Sequence, residues 1–214
     1  MASTIYYNAI QQLYVQFLDR PADVPGMQYW ESVVENAHGN MSAMAQAFAA
    51  SSEYRASVAG SDSVHVVTAV YQNMFGHAPD LAGLNFWADG LTRGAITIDG
   101  VVKAIVAGAQ GSDLHAYVNK VSAATAYTAW MDSPEKILAY NGTTAVAAAK
   151  AFLAGVTDDA SLSNALAVLA GTVPPPYTTV LPVLAHAANE HAAAAEPVAL
   201  VGIPQAHGAD IHML

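Results

Sequence analysis

The chain has 214 residues, of which only 11% are charged, and its formal net charge is −10. It contains no cysteine, which excludes disulfide scaffolds, thiolate metal sites and thiol nucleophiles. It has only seven Lys and Arg residues. Because binding to nucleic acid depends largely on neutralising phosphates, we expect no nucleic-acid partner.

Neither a transmembrane helix nor an N-terminal signal peptide is predicted from the sequence. No run of about 18 apolar residues predicts a transmembrane helix. The first residues have neither the basic region nor the apolar region of a signal peptide. The protein is therefore expected either to stay in the cytoplasm or to be exported by a route without an N-terminal signal. The absence of cysteine favours export.

The strongest pattern is an internal duplication, in which residues 14–30 align with 71–87 at an offset of 57. Residues 52–58 also align with 112–118, after a three-residue insertion. We therefore predict repeat 1 over 1–60, repeat 2 over 61–120, further helices of the same domain over 121–173 and a tail over 174–214. Four identities define the shared motif: Tyr14 and Tyr71, Asp23 and Asp80, Gly26 and Gly83, Trp30 and Trp87.

Each copy is predicted to contain three to four helices. A first helix with apolar residues at helical spacing ends at a turn, at 19–22 in repeat 1 and 76–79 in repeat 2. Asp23 and Asp80 then have the position of N-caps. Gly26 and Gly83 are unfavourable inside a helix, so we expect another backbone to approach them closely.

The rest of the body is also predicted to be helical. A third helix follows in each copy, at 41–50 and 98–107, and longer or alanine-rich helices follow at 112–132, 144–153 and 161–169. Ser133 and Pro134 indicate another helix start. Because no segment alternates with a period of two, the expected fold is an all-α domain.

Composition changes at Pro174, because six of the ten prolines lie between residues 174 and 204. The last basic residue is Lys150, so the last 64 residues contain neither Lys nor Arg. We expect a Pro/Ala-rich tail that is only partly ordered, with one helix over 184–196.

The repeated motif resembles the helical family called domain of unknown function 4214. The matching residues are Tyr14, Leu18, Arg20, Asp23, Gly26, Met27, Tyr29 and Trp30, and in the second copy Tyr71, Phe75, His77, Pro79, Asp80, Gly83, Leu84, Phe86 and Trp87. Such domains are common in bacterial proteins exported by type I secretion. The motif is also similar to the helical anchoring region of an RTX-type S-layer protein, which binds lipopolysaccharide.

This resemblance implies a secreted protein at the bacterial cell surface that uses the type I secretion apparatus. Type I substrates carry a C-terminal signal that is poor in Lys and Arg and ends in a few apolar residues. The tail 174–214, which ends in residues 210–214 (DIHML), has that composition. The chain departs from RTX proteins because it lacks their glycine-rich calcium-binding repeats.

Two pairs of equivalent residues are candidates for ligand binding. Arg20 and His77 occupy the same turn position, where a partly exposed cation would bind a carboxylate or phosphate of a glycan. The alternative is a salt bridge or carbonyl contact that holds the turn. Tyr29 and Phe86 would form a sugar-stacking platform, for which the alternative is core packing. Core packing is favoured for both tryptophans.

Metal and cofactor sites are alternatives of lower rank, and no cofactor is expected. Asp23 and Asp80 would serve as Ca²⁺ ligands with Asp19, although helix capping explains them better. Haem or a transition metal would use four histidines of the tail, which otherwise are solvated spacer residues. These four are His186, His191, His207 and His212.

No motif of a catalytic site is present, so the chain is not expected to be an enzyme. The leading interpretation is a secreted, non-catalytic surface module that binds a glycan such as lipopolysaccharide or a protein, with homo-oligomerisation left open. An extracellular haem or metal carrier is the first alternative, and a cytoplasmic helical scaffold is the second.

Overall fold

The protein is all-α, as predicted, in a computed structural model that describes residues 5–58 and 62–171. Those residues form eleven α-helices and no strand. The four helices of repeat 1 are α1 (Tyr7–Leu13), α2 (Val24–Asn36), α3 (Ser42–Ala49) and α4 (Ser52–Ser57). Repeat 2 contains α5 (Ser63–Phe75), α6 (Leu81–Thr92), α7 (Ile98–Gly108) and α8 (Gly111–Trp130). The last three helices are α9 (Pro134–Ala139), α10 (Gly142–Ala154) and α11 (Asp159–Leu169).

The first helices of the two repeats end differently. In repeat 1, α1 continues into a buried π-helical turn, Tyr14–Leu18, and ends at Asp19 in the left-handed conformation with φ of 50°. In repeat 2, α5 ends at Gly76 with φ of 80°. Gly76 suits this conformation because it has no Cβ, whereas Asp is one of the few other residues that adopt it.

Helix α8 connects the duplicated and unduplicated parts of the chain. Its first turns are the counterpart of α4, but it continues for 20 residues and packs against α1, α5, α10 and α11. Polar contacts add to this packing. Gln16 donates a hydrogen bond to the Tyr117 hydroxyl at 2.6 Å, and Thr128 donates one to the carbonyl of Ala22 at 2.7 Å. Repeat 1 is therefore joined to α8 along much of the helix.

The core of repeat 1 is built from aromatic rings around Phe48. The rings of Tyr14 and Trp30 meet Phe48 edge to face, with centroids 4.9 and 5.5 Å away. The position equivalent to Phe48 in repeat 2 is Ile105, which is also buried. Trp30 is buried as predicted, and Trp87 is partly buried against the same core.

Two sequence predictions remain outside the described residues: the tail 174–214 and its helix over 184–196. Within 5–58 and 62–171, no helix has both the length and the apolar character needed to cross a bilayer.

Candidate functional site

The motif residues Tyr, Asp and Gly form one local arrangement in each repeat. Asp23 accepts a hydrogen bond from the backbone N–H of Gly26 at 2.7 Å, and Asp80 accepts one from Gly83 at 2.6 Å. Both aspartates are therefore N-caps, and the predicted capping role is confirmed.

The atoms closest to the two glycines belong to side chains and not to a second backbone. A Cβ on Gly26 would lie 2.3 Å from the Tyr14 hydroxyl oxygen, and a Cβ on Gly83 would lie 3.4 Å from the Tyr71 hydroxyl oxygen. The expectation that another backbone approaches these glycines was wrong. A tyrosine of the preceding helix fills that space, tightly in repeat 1 and at an ordinary contact distance in repeat 2.

All three nitrogens of the Arg20 guanidinium have hydrogen-bond acceptors within repeat 1. Its guanidinium makes two parallel contacts with Glu53, Nε to Oε1 at 3.0 Å and Nη2 to Oε2 at 3.1 Å. Nη1 donates to the carbonyl of Pro21 at 3.1 Å and lies 3.4 Å from Asp23 Oδ2. The group also lies over the ring of Tyr14, 5.1 Å from its centroid.

Burial decides the role of Arg20. Its side chain is only 1% exposed. The sequence-based expectation of a partly exposed cation was therefore wrong at this position, because the guanidinium is covered and its donors already have acceptors. Arg20 holds the α1–α2 turn against α4, which is the structural alternative considered for it.

Further charges surround this ion pair, and we call Asp19, Arg20, Glu53, Lys120 and Lys150 the buried charge cluster. Lys150 of α10 lies 3.4 Å from Glu53, and Lys120 of α8 donates to the carbonyl of Leu153 at 3.1 Å. Burial lowers the pKa of Lys120, an effect that the charge of Asp19 opposes.

Asp19 is the unusual member of the buried charge cluster. Its Oδ1 atom is shielded from solvent and has no hydrogen-bond partner. Burial raises the pKa of Asp19 to about 7, while the charges of Lys120 and Lys150 act in the opposite direction. From the sequence, Asp19 is a candidate only for Ca²⁺ binding. Its buried environment is not visible there, because α8 and α10 are distant in sequence and no local spacing relates them to the turn.

His77 has the position of Arg20 but an open environment. Its Nε2 lies 3.0 Å from Asp113 Oδ1 and its Nδ1 lies 2.7 Å from the carbonyl oxygen of Ala78. The side chain is 52% exposed. The hydrogen bond to Ala78, together with the one to Asp113, raises the pKa of His77. The two repeats thus share a cation–carboxylate pair that is buried in one and solvated in the other.

Tyr29 and Phe86, the two residues proposed from the sequence as a sugar-stacking platform, also differ in exposure to solvent. Tyr29 is half-buried and meets Trp30 edge to face at 5.0 Å. Phe86 meets Trp87 in the same way at 4.8 Å, but its side chain is 67% exposed. Phe86 therefore has a ring surface available to a ligand, and Tyr29 has less of one.

Two charged residues missed by the sequence analysis lie beside Phe86. Asp89 and Arg93 follow it at i+3 and i+7, which places the three residues along one side of α6. Asp89 and Arg93 form an exposed ion pair. We call Phe86, Asp89 and Arg93 the α6 surface. Their spacing is visible in the sequence and is the signal that could have identified them.

The candidate metal ligands are not brought together in the described part of the chain. In residues 5–58 and 62–171, no three His, Asp or Glu side chains form a group that could hold a metal ion. The alternative ligands His186, His191, His207 and His212 all lie outside the described residues.

Comparison with protein families agrees with the duplication. A family model described as Domain of unknown function (DUF4214) matches the chain twice, over residues 7–58 and 45–110. The first match spans α1–α4, and the second extends from α3 to α7. No curated protein and no solved structure matches the chain. Residues 7–110, which carry the Tyr–Asp–Gly–Trp motif in both copies, belong to the DUF4214 family.

Proposed function

We propose that this protein is a secreted, non-catalytic bacterial module that binds a glycan of the cell surface through the α6 surface. The observation that carries the proposal is the exposure of Phe86 beside the Asp89–Arg93 ion pair. An exposed aromatic ring beside polar side chains offers an apolar face for stacking together with hydrogen-bonding groups.

The chemistry of the α6 surface suits a sugar. The ring of Phe86 offers an apolar face to the C–H face of a sugar ring. The carboxylate of Asp89 accepts hydrogen bonds from sugar hydroxyls, and the guanidinium of Arg93 donates to their oxygens. Phe86 and Asp89 lie on α6 and Arg93 is the residue that follows its last turn, so the backbone holds the three positions on one side before a ligand arrives.

The charge distribution favours a glycan recognised by its hydroxyls over one recognised by its phosphates. Several cations that could attract phosphate are already paired with carboxylates: Lys103 with Asp99, Lys136 with Asp132 and Lys150 with Glu53. Arg20 and Lys120 are buried. The chain as a whole carries a formal charge of −10. Attraction to a phosphate-rich surface would therefore be weak.

Binding is tested by co-sedimentation of the protein with bacterial cells and with purified surface polysaccharide. We expect Phe86→Ser and Arg93→Gln each to weaken binding by about tenfold or more, as is typical for an anchor residue. Leu138→Ser is the matched control, because Leu138 lies on α9 and its side chain is 74% exposed. Recovering the polysaccharide with unchanged chain length would agree with a non-catalytic role.

Two results would refute this role for the α6 surface. One is wild-type binding by Phe86→Ser, and the other is the absence of any bound fraction of the wild-type protein. Binding to cells that disappears after their surface proteins are digested would indicate a protein ligand instead.

Export is proposed from the composition of residues 174–214, which contain no Lys or Arg and end in DIHML. Deleting 184–214 and comparing the culture supernatant with the lysate tests this part. We expect the deletion to leave the protein inside the cell. Unchanged secretion would refute the proposed type I-like signal without affecting the binding proposal.

A further inference from the structure

Equivalent positions in the two repeats carry the same kind of ion pair with different cations. Arg20 faces Glu53 in repeat 1, and His77 faces Asp113 in repeat 2. In both repeats the cation lies in the turn between the first and second helices, and the carboxylate lies on the fourth. A guanidinium stays charged throughout the working pH range of a protein, whereas an imidazole loses its charge near neutrality.

Both ring nitrogens of His77 face oxygen atoms that accept hydrogen bonds. Nε2 lies 3.0 Å from Asp113 Oδ1, and Nδ1 lies 2.7 Å from the carbonyl oxygen of Ala78. A neutral imidazole has one N–H, so it can donate to only one of these oxygens. The doubly protonated ring donates to both. Loss of the proton leaves a nitrogen lone pair facing an oxygen lone pair.

The other groups near His77 are aromatic rings and a further carboxylate. Helix α5 contributes the rings of Phe75 and Tyr71, with centroids 6.0 and 6.3 Å from that of the imidazole. Burial, with the negative charges of Asp80 and Asp113, raises the pKa of Tyr71, so its hydroxyl stays neutral. Among the described residues, the titratable groups that act on His77 or on the neighbouring Tyr71 are thus Asp113 and Asp80, and both are carboxylates.

We infer that the turn 76–80 is held to α8 by a proton-dependent clasp between His77 and Asp113. The clasp is closed when His77 is protonated and is weakened when the ring becomes neutral. Because the turn leads directly into α6, the proton on His77 controls how firmly the start of α6 is tied to α8. The Arg20–Glu53 pair has no group that loses its charge near neutral pH, so the corresponding turn of repeat 1 stays closed over the range in which His77 titrates. This inference is independent of the proposed glycan binding.

The clasp is tested by NMR on the full chain, titrated from about pH 5 to about pH 9 to span the range of histidine. The ring signals of His77 are followed together with the backbone amides of the turn 76–80 and of Asp113. We expect these amides to titrate with the midpoint of His77. Amide hydrogen exchange in the turn, corrected for intrinsic base catalysis, should accelerate by about two- to fivefold above that midpoint, the range supplied by exposed ion pairs.

Two variants separate the clasp from an ordinary exposed histidine. Asp113→Asn should lower the pKa of His77, because it removes the carboxylate charge and keeps a similar shape. His77→Arg should make exchange in the turn independent of this titration, as an arginine does at the equivalent position. The inference is overturned if the amides of the turn do not follow the His77 titration, or if Asp113→Asn leaves the His77 pKa unchanged.

Discussion

Arg20 and Glu53 are 33 residues apart and form a two-pronged ion pair that closes repeat 1, with contacts of 3.0 and 3.1 Å. Lys150 of α10 reaches the same carboxylate at 3.4 Å. The pair thus links the α1–α2 turn to α4 and, through Glu53, to the C-terminal helices. Removing either partner would leave the other charge in a poorly solvated place.

We predict that Arg20→Ala destabilises the protein by about 3–5 kcal/mol, the range observed when one partner of a buried ion pair is removed. Arg20→Lys should also destabilise it, because an ammonium cannot reproduce the two parallel contacts with Glu53. Urea unfolding measures the change in the free energy of unfolding. His77→Ala is the control in repeat 2 and should cost less than about 1 kcal/mol, since its pair is exposed. Equal effects of the two alanine variants would contradict the assigned difference in burial.

We predict that Gly26→Ala destabilises the protein and that Gly83→Ala does not. The new Cβ at Gly26 would lie 2.3 Å from the Tyr14 hydroxyl, and the overpacking should cost about 1–3 kcal/mol. At Gly83 the nearest atoms would be Asp80 Oδ1 at 3.3 Å and the Tyr71 hydroxyl at 3.4 Å, so a small shift of these side chains should accommodate alanine, and its better helix propensity offsets small strain. The midpoints of thermal unfolding distinguish the two variants.

Removing the hydroxyl of Tyr14 tests whether this atom causes the clash at Gly26. It is buried without a hydrogen-bond partner, so Tyr14→Phe should be nearly neutral or stabilising. In the double variant with Gly26→Ala, part of the overpacking should be relieved, which a double-mutant cycle would report as a coupling between the two positions. Strict additivity would mean that the clash lies with the Asp23 carboxylate, whose Oδ1 would be 2.8 Å from the new Cβ.

We predict that the titration of Asp19 makes the free energy of unfolding depend on pH. Burial raises the pKa of Asp19 to about 7 in the folded chain, whereas an aspartate in an unfolded chain has a pKa of about 3.9. Between these values the folded state binds a proton that the unfolded state does not. The contribution of Asp19 to the free energy of unfolding therefore falls as pH rises from about 4 to about 7.

Asp19→Asn removes this titration while keeping a residue that tolerates the left-handed conformation. We expect the variant to be more stable than the wild type at about pH 8, by an amount on the order of 2 kcal/mol, and to lose the advantage at about pH 4. Chemical unfolding at both pH values measures the difference. A variant that is less stable at pH 8 would show that the attraction of Lys120 and Lys150 outweighs burial.

Repeat 1 should not fold as a separate unit. Its π-helical turn packs against α5 and α8, Gln16 is bonded to Tyr117, and Ala22 is bonded to Thr128. A fragment of residues 1–60 would expose these surfaces, so we expect no cooperative thermal transition in its helical circular dichroism signal. A fragment of residues 1–173 keeps the partners and should unfold cooperatively. A cooperative transition in the short fragment would show that the repeats are autonomous.

The sequence by itself determined the features that depend on near neighbours. The duplication predicted an all-α fold with matching helices, and Asp23 and Asp80 were identified as N-caps, because a cap bonds to a backbone N–H only three residues away. The capping residue Ser133 and the following Pro134 indicated the start of α9 for the same reason. Such signals are complete within one or two helical turns, so they do not require the rest of the fold.

Only the tertiary structure decided how far the two repeats differ in their surroundings. Arg20 and His77 align in sequence, as do Tyr29 and Phe86, yet one member of each pair is more buried than the other. The reason is that α8 and α10 place Lys120 and Lys150 beside the turn of repeat 1, while the corresponding turn of repeat 2 remains open to solvent. Burial is a property of the neighbours that a fold supplies, and an alignment of two similar segments does not contain those neighbours.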